Sequence, residues 1–116
     1  MIDYKKPTAQ MLGRWQPFHD GHVALFKEVL KKTGQVLIMV RDMPESENNP
    51  FDFEDIKKKI EETLKEYIDK FEVVKVPNIT NICYGRGVGY KIEEIVLPKE
   101  IQNISATKIR ASIKKI

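Results

Sequence analysis

At 116 residues the chain is the size of one domain. Its 41% apolar and 32% charged residues suit a globular protein with a core that needs no staples. The net charge of +3 fits a small anionic ligand better than nucleic acid, which calls for a denser basic face. Cys83 is the sole cysteine, which excludes an intrachain disulfide and a cysteine-based metal cluster. No apolar run is long enough to span a membrane, and Met1 to Lys6 has no secretory core. A single cytoplasmic domain spanning 1–116 is expected.

The first predicted strand is Thr8 to Gly13, short, apolar at Ala9, Met11 and Leu12, and closed by Gly. A loop follows from Gly13 through Pro17 to Asp20, and Asp20 is placed to cap a helix starting at Gly21. Val23, Phe26, Val29 and Leu30 recur at helical spacing. Lys31 and Lys32 suit the last turn, and Gly34 the C-cap. Gln35 to Arg41 is a continuous apolar run, as in a strand buried on both faces.

Asp42 to Pro50 reads as a mobile polar loop. Asp52 with Asp55 imitates a capping box, and Phe51 and Ile56 fall at the staple positions around it. That helix is predicted to run on through Ile60, Leu64 and Ile68. Phe71 to Val76 is a third strand. Ile82 to Tyr84 reads as a short fourth, ending in Gly85-Arg86-Gly87-Val88-Gly89, and Tyr90 to Leu97 as a fifth. A last helix begins at Ser105, with Ile104 and Ile109 as its staple. Strands alternating with helices imply βαβ units and a parallel sheet. Ligands of such sheets bind at the carboxyl ends of the strands. Pro77 to Gly89 leaves no room for a crossover helix, so either that connection is unusual or one strand reading fails.

Two segments carry chemistry. His19 and His22 flank a Gly at the start of the first helix, where free N–H groups and the macrodipole attract anions. In a turn, two histidines also serve as plain caps. A metal reading lacks a third ligand. Phosphate contact fits the pair and its place better. Ser105-Ala106-Thr107-Lys108-Ile109-Arg110 is a second helix start, hydroxyl-rich and basic. Lys108, Lys114 and Lys115 read as a solvated face, and Cys83 as a small buried hydrophobe. Two anion-seeking helix starts at opposite ends of a small α/β chain point to a nucleoside triphosphate.

Gly13-Arg14-Trp15-Gln16-Pro17-Phe18-His19-Asp20-Gly21-His22 resembles the GRFQPFHxGH signature of the HxGH nucleotidyltransferase superfamily, also called cytidylyltransferase-like. Ile104 to Arg110 resembles its ISSTxIR signature. Asn49-Pro50-Phe51 and the wording GRWQPFH look most like the archaeal-type nicotinamide-mononucleotide adenylyltransferase branch. The resemblance implies a Rossmann-like three-layer α/β sandwich, with a mostly parallel five-stranded sheet and helices on both faces. It implies direct transfer of NMP, AMP from ATP ahead of CMP from CTP, to a phosphorylated small-molecule acceptor, with Mg²⁺ as cofactor and no direct protein ligation of the metal.

By the same resemblance, His22 donates to the α-phosphate and His19 touches the β or γ phosphate. Gly13, Arg14 and Gly21 line the nucleotide. Ser105, Ala106 and Thr107 hold the β and γ phosphates, and Arg110 offsets pyrophosphate charge. Trp15 and Phe18 are candidates to stack on a ring, although core packing suits Phe18 equally. Arg41, Asp42, Gly85 and Arg86 are placed toward the acceptor; for the Gly-rich run a simple turn is as good a reading.

The chain departs from the pattern in two places. The segment between the third strand and the second signature is compressed, which favours an acceptor other than nicotinamide mononucleotide. Ala106 stands where a hydroxyl or Gly is usual. A homo-oligomer is expected. The competing readings are a non-catalytic nucleotide sensor and a nucleic-acid-binding domain; the latter lacks interleaved aromatic and basic residues.

Overall fold

The computed structural model describes residues 1–87 and 89–114, with side chains as far as Ser112. The expectations for Val88, for Lys115 and for the side chain of Lys114 lie outside the described residues.

Three parallel strands form one sheet in the order β1-β2-β3: Ala9–Gly13 (β1), Val36–Arg41 (β2) and Phe71–Val76 (β3). Met11, Ile38 and Val73 are register partners across it. Asp20–Thr33 (α1) links β1 to β2, and Phe53–Thr63 (α2) leads from β2 toward β3. Each element follows from local sequence. Gly34 adopts φ 82° and donates its N–H to the Leu30 carbonyl at 2.8 Å, the left-handed cap that glycine takes at least cost. Asp52 caps α2 by accepting the Asp55 N–H at 2.9 Å.

The core lies on one face of the sheet. Val36, Ile38 and Val40 are fully buried there, with Met11 and Val73 beside them and Phe26, Ile56 and Ile60 from the helices over them. Phe26 meets Phe71 edge-on at 5.7 Å and Tyr67 at 5.5 Å, contacts that add to area burial. Leu37, Met39 and Arg41 on the other side of β2 are only half-buried. The expectation of a strand buried on both faces is therefore met on one.

Three further differences have physical causes. The second helix stops at Thr63, and Lys65–Lys70 forms a tighter 3₁₀ segment with a kink at Tyr67. Ile68 consequently lies 45% exposed instead of on the core face. The predicted fourth and fifth strands are absent among the described residues: 77–87 and 89–97 are irregular, and Ile82, Tyr84, Ile92 and Val96 are all exposed. Among the described residues the sheet accordingly has three strands, where five were expected. Alternating apolar residues make a strand only when a neighbouring edge takes their backbone bonds. Of the described residues in this segment Ile95 packs on the core, and Lys32 pairs with Glu93 at 3.1 Å.

The chain returns through a short helix, Lys99–Gln102 (α3), which begins after Pro98. It then enters Ala106–Lys114 (α4), which begins after Ser105. A Cβ on Gly21 would stand 3.5 Å from the Ile101 carbonyl, so α3 ends against the first turn of α1.

Candidate active site

The loop after β1 is held in an unusual shape. Trp15 has φ 53°, a conformation seldom adopted by a large side chain. Its indole N–H donates to the Met39 carbonyl at 3.1 Å, and its ring lies over Gly13, where a Cβ would come within 2.8 Å of it. Gly13 is thus required by the tryptophan fold-back. Trp15 is 6% and Phe18 1% exposed. Their rings meet each other and His22. The expected stacking of Phe18 on a ligand ring is not what the structure shows, because Phe18 is a core residue. Both aromatics border a cavity of about 530 Å³ against α2 and Ile109.

The two histidines form one unit. His19, not Asp20, is the N-cap of α1: its Nδ1 accepts the Gly21 N–H at 3.1 Å. His22 Nδ1 accepts the His19 N–H at 3.1 Å, which closes a capping box built from imidazoles instead of hydroxyl and carboxylate. The rings stack with centroids 3.6 Å apart. With Nδ1 an acceptor in each ring, the neutral proton sits on Nε2. Each ring therefore offers an Nε2–H donor. A Cβ on Gly21 would lie 2.9 Å from the His19 ring, so this glycine makes room for the imidazole. The N–H groups of Gly21, His22 and Val23 are spent on His19, which leaves the imidazole edges and the macrodipole to attract an anion.

Burial, helped by the neighbouring His19, pushes the His22 pKa down to about 3. Burial also lowers His19, partly offset by Asp20. Both rings are neutral at pH 7. In the unfolded chain the same groups take up protons near pH 6.5. Folding therefore loses stability as the pH falls below about 6.5, and goes on losing it toward pH 3. Melting temperatures should be flat from pH 9 to 7 and fall steadily from pH 6.5 to 5, whereas His22→Gln should flatten that slope.

The second signature is brought onto this loop. Ser105 Oγ accepts the Lys108 N–H at 3.4 Å, and the N–H groups of Ala106 and Thr107 have no partner among the described residues. Thr107 is exposed, while Ser105 and Ala106 are half-buried. Arg110 is 8% exposed. Its guanidinium donates to the Gln16 carbonyl at 2.5 Å across 94 residues, and to Thr107 Oγ1 at 3.4 Å.

The loop between β2 and α2 is also tied down. Ser46 and Asn49 exchange two backbone bonds. Asn49 is buried and accepts from Arg14 at 3.3 Å. The Gln16 amide donates to the Phe51 carbonyl at 2.9 Å and accepts the Phe51 N–H at 3.0 Å. The segment expected to be mobile is thus stitched to the histidine loop.

Beside it, at the carboxyl ends of β2 and β3, is a cavity of about 290 Å³. Arg41, Asp42 and Lys75 line it together with Gln16, Phe51 and Phe53. Arg41 donates to Asn78 Oδ1 at 2.7 Å, but its Nε is buried without a partner among the described residues. Gly85 and Arg86 are exposed on the irregular segment, where the strand that would have aimed them at this edge has not formed. Gln16 and Lys75 were missed by sequence reasoning. Lys75 pairs with Val40 in register, so its place at the ligand edge follows from the topology.

Residues 11–83 match the family described as cytidylyltransferase-like. The chain belongs to the cytidylyltransferase-like family. It is 32% identical over 73 residues to a nicotinamide-nucleotide adenylyltransferase of Methanococcus aeolicus, covering 61% of this chain and 42% of that protein. It is 29% identical over 73 residues to one of Methanococcus maripaludis, covering 61% and 43%. A crystal structure of a bifunctional NMN adenylyltransferase/ADP-ribose pyrophosphatase of Francisella tularensis, complexed with AMP and a manganese ion, superposes with TM-score 0.56 at 26% identity. That match covers 62% of this chain and 23% of the other. The chain spans less than half the length of these relatives. The matched region carries the Rossmann-type parallel sheet with its helices, a nucleotidyltransferase-family fold.

Proposed function

We propose that this cytidylyltransferase-like chain is a nucleotidyltransferase that moves AMP from ATP to a phosphorylated small-molecule acceptor and releases pyrophosphate. The observation that carries the reading is the stacked pair of neutral imidazoles presenting Nε2–H donors, on a loop that the Arg110–Gln16 bond ties to α4. Fixed donors of this kind stabilise charge that develops on phosphate oxygens.

In the proposed reaction an acceptor phosphate oxygen forms a bond to the α-phosphorus. The bond from that phosphorus to the bridging oxygen breaks, and pyrophosphate leaves with the electron pair. His22 donates a hydrogen bond to the α-phosphate and His19 to the β or γ phosphate. Ser105 and Thr107, with the Ala106 and Thr107 amides, receive the outer phosphates. The protein's part is orientation and charge stabilisation.

Among the described residues no group of three or more His, Cys, Asp or Glu side chains is placed to hold a metal. Mg²⁺ fits as a passenger on the triphosphate, where it neutralises phosphate charge. The manganese of the Francisella protein supports a divalent-cation requirement.

ATP is favoured as donor because the matched relatives are named as adenylyltransferases; CTP is the alternative. The cavity lined by Arg41 and Lys75 is the candidate acceptor site, and the carboxylates of Asp42, Glu45, Asp52 and Glu54 on the same lining confine the acceptor's phosphate to the reach of those two cations. At about 290 Å³ it stands at the small end of ligand sites. Nicotinamide mononucleotide is one candidate, and smaller phosphate monoesters are others. None of the described helices is long and apolar enough to cross a membrane.

The test is a thermal-shift panel of ATP, CTP, GTP and UTP with Mg²⁺. A ligand at a hundredfold excess over Kd stabilises by about 2.7 kcal/mol. A single responder names the donor and directs a pyrophosphate-release screen over acceptors. No response to any of them removes the nucleotidyltransferase reading and favours the nucleic-acid alternative. Binding without pyrophosphate release across the acceptor panel favours the sensor.

A further inference from the structure

Arg110 sits in the signature whose basic residue the family resemblance assigns to the pyrophosphate, yet its surroundings here are those of a clamp. It is 8% exposed, and its guanidinium donates to protein: the Gln16 carbonyl at 2.5 Å and Thr107 Oγ1 at 3.4 Å. A charge-assisted bond to a backbone carbonyl is strong, and a buried guanidinium that gave it up would lose its compensation.

The carbonyl it holds is a junction. Gln16 lies between Trp15, whose backbone is held at φ 53°, and the run Pro17 to His22. The Gln16 side chain pins Phe51 by two bonds. Trp15 packs edge-on against His22 at 4.7 Å. Arg110 therefore reaches the imidazole donors through Gln16 and Trp15, and touches the wall of the neighbouring cavity through Gln16.

We propose that Arg110 is a positioning residue, which sets the conformation of the loop from Trp15 to His22 by holding the Gln16 carbonyl and acts on nucleotide through that loop. The part of this concerning nucleotide rests on the nucleotidyltransferase reading; the part concerning the loop does not.

Trp15 is the only tryptophan, so its emission and near-UV circular dichroism report on this loop alone among the indoles. Arg110→Gln, without nucleotide, is expected to red-shift that emission, raise acrylamide quenching and weaken the near-UV band. Far-UV dichroism should stay unchanged. It should also weaken Mg-ATP binding by about 10- to 100-fold, the usual cost of losing a hydrogen bond to a charged group. In a double-mutant cycle with His22→Ala the two losses should be strongly non-additive, because both act through one imidazole.

An unchanged Trp15 signal in Arg110→Gln overturns the proposal. Additive losses of ATP affinity also overturn it, since they place Arg110 on the pyrophosphate independently of His22. Should Arg110→Gln fail to fold, Arg110→Lys makes the same comparison. It keeps one donor for the carbonyl and should show a smaller Trp15 shift in the same direction; no shift overturns the proposal there too. A wild-type chain that binds no triphosphate removes the nucleotide reading and leaves the Trp15 comparison to decide the loop.

Discussion

His22→Ala is expected to lower Mg-ATP-dependent pyrophosphate release by about 10²–10³-fold, the usual cost of removing one donor aimed at developing charge. Ground-state binding of ATP should fall less, because a donor that strengthens in the transition state acts mainly on kcat. The pH profile separates two ways in which this ring can act. With its pKa held down to about 3 by burial and by His19, His22 is a neutral donor, so its contribution should be level from pH 6 to 9. A ring working as imidazolium would instead give a rate that climbs as the pH drops toward 6. The alanine variant also leaves the His19 N–H without its Nδ1 acceptor, so far-UV dichroism and a melt must accompany the rate. His22→Asn, which retains a polar group there, should recover stability and little of the rate. Turnover equal to wild type in His22→Ala would end the catalytic role of the pair.

Much of this site is local in origin, and that part was legible from sequence. The strands β1, β2 and β3 fall within a residue or so of their predicted ranges, because each is an apolar run bounded by glycine, charge or proline. Gly34 and Asp52 cap where expected. Both signatures sit at helix starts. The failures concern partners that lie far away in sequence. Ile82, Tyr84, Tyr90 and Ile92 alternate as strand residues do, but no strand among the described residues takes their backbone bonds, and all four stay at least half exposed. His19 was passed over as a cap in favour of Asp20. A carboxylate is the commoner acceptor at that position, whereas the imidazole does the same work through Nδ1 only when the next ring completes the box. Gln16 gave no local signal: its partners, Phe51 and Arg110, are 35 and 94 residues away.

That silent residue supports the second large prediction. Gln16 is 4% exposed. Gln16→Leu keeps most of its volume and removes both side-chain bonds, which strands the Phe51 N–H and carbonyl. Each half-buried polar group left unpaired costs about 1–3 kcal/mol. A loss of roughly 2–6 kcal/mol is therefore expected, against a total of about 5–15 kcal/mol for a domain. It reads out as a fall of roughly 10 °C or more in melting temperature for a chain of this size. Gln16→Glu separates hydrogen bonding from shape. It preserves the acceptor for the Phe51 N–H but turns a second acceptor toward the Phe51 carbonyl, so it should cost at least as much as Leu near pH 8 and less as the pH approaches 4. The functional consequence is directional. Phe51 lines the cavity beside Arg41 and Lys75, while the histidines stay capped by their own backbone. In variants that still fold, Gln16→Leu should raise the acceptor's KM more than the KM for ATP. An equal rise in both would mean that Gln16 holds the triphosphate loop as firmly as it holds Phe51. A melting temperature within a degree or two of wild type would mean that Phe51 finds other partners, and that the two loops are not coupled through this amide.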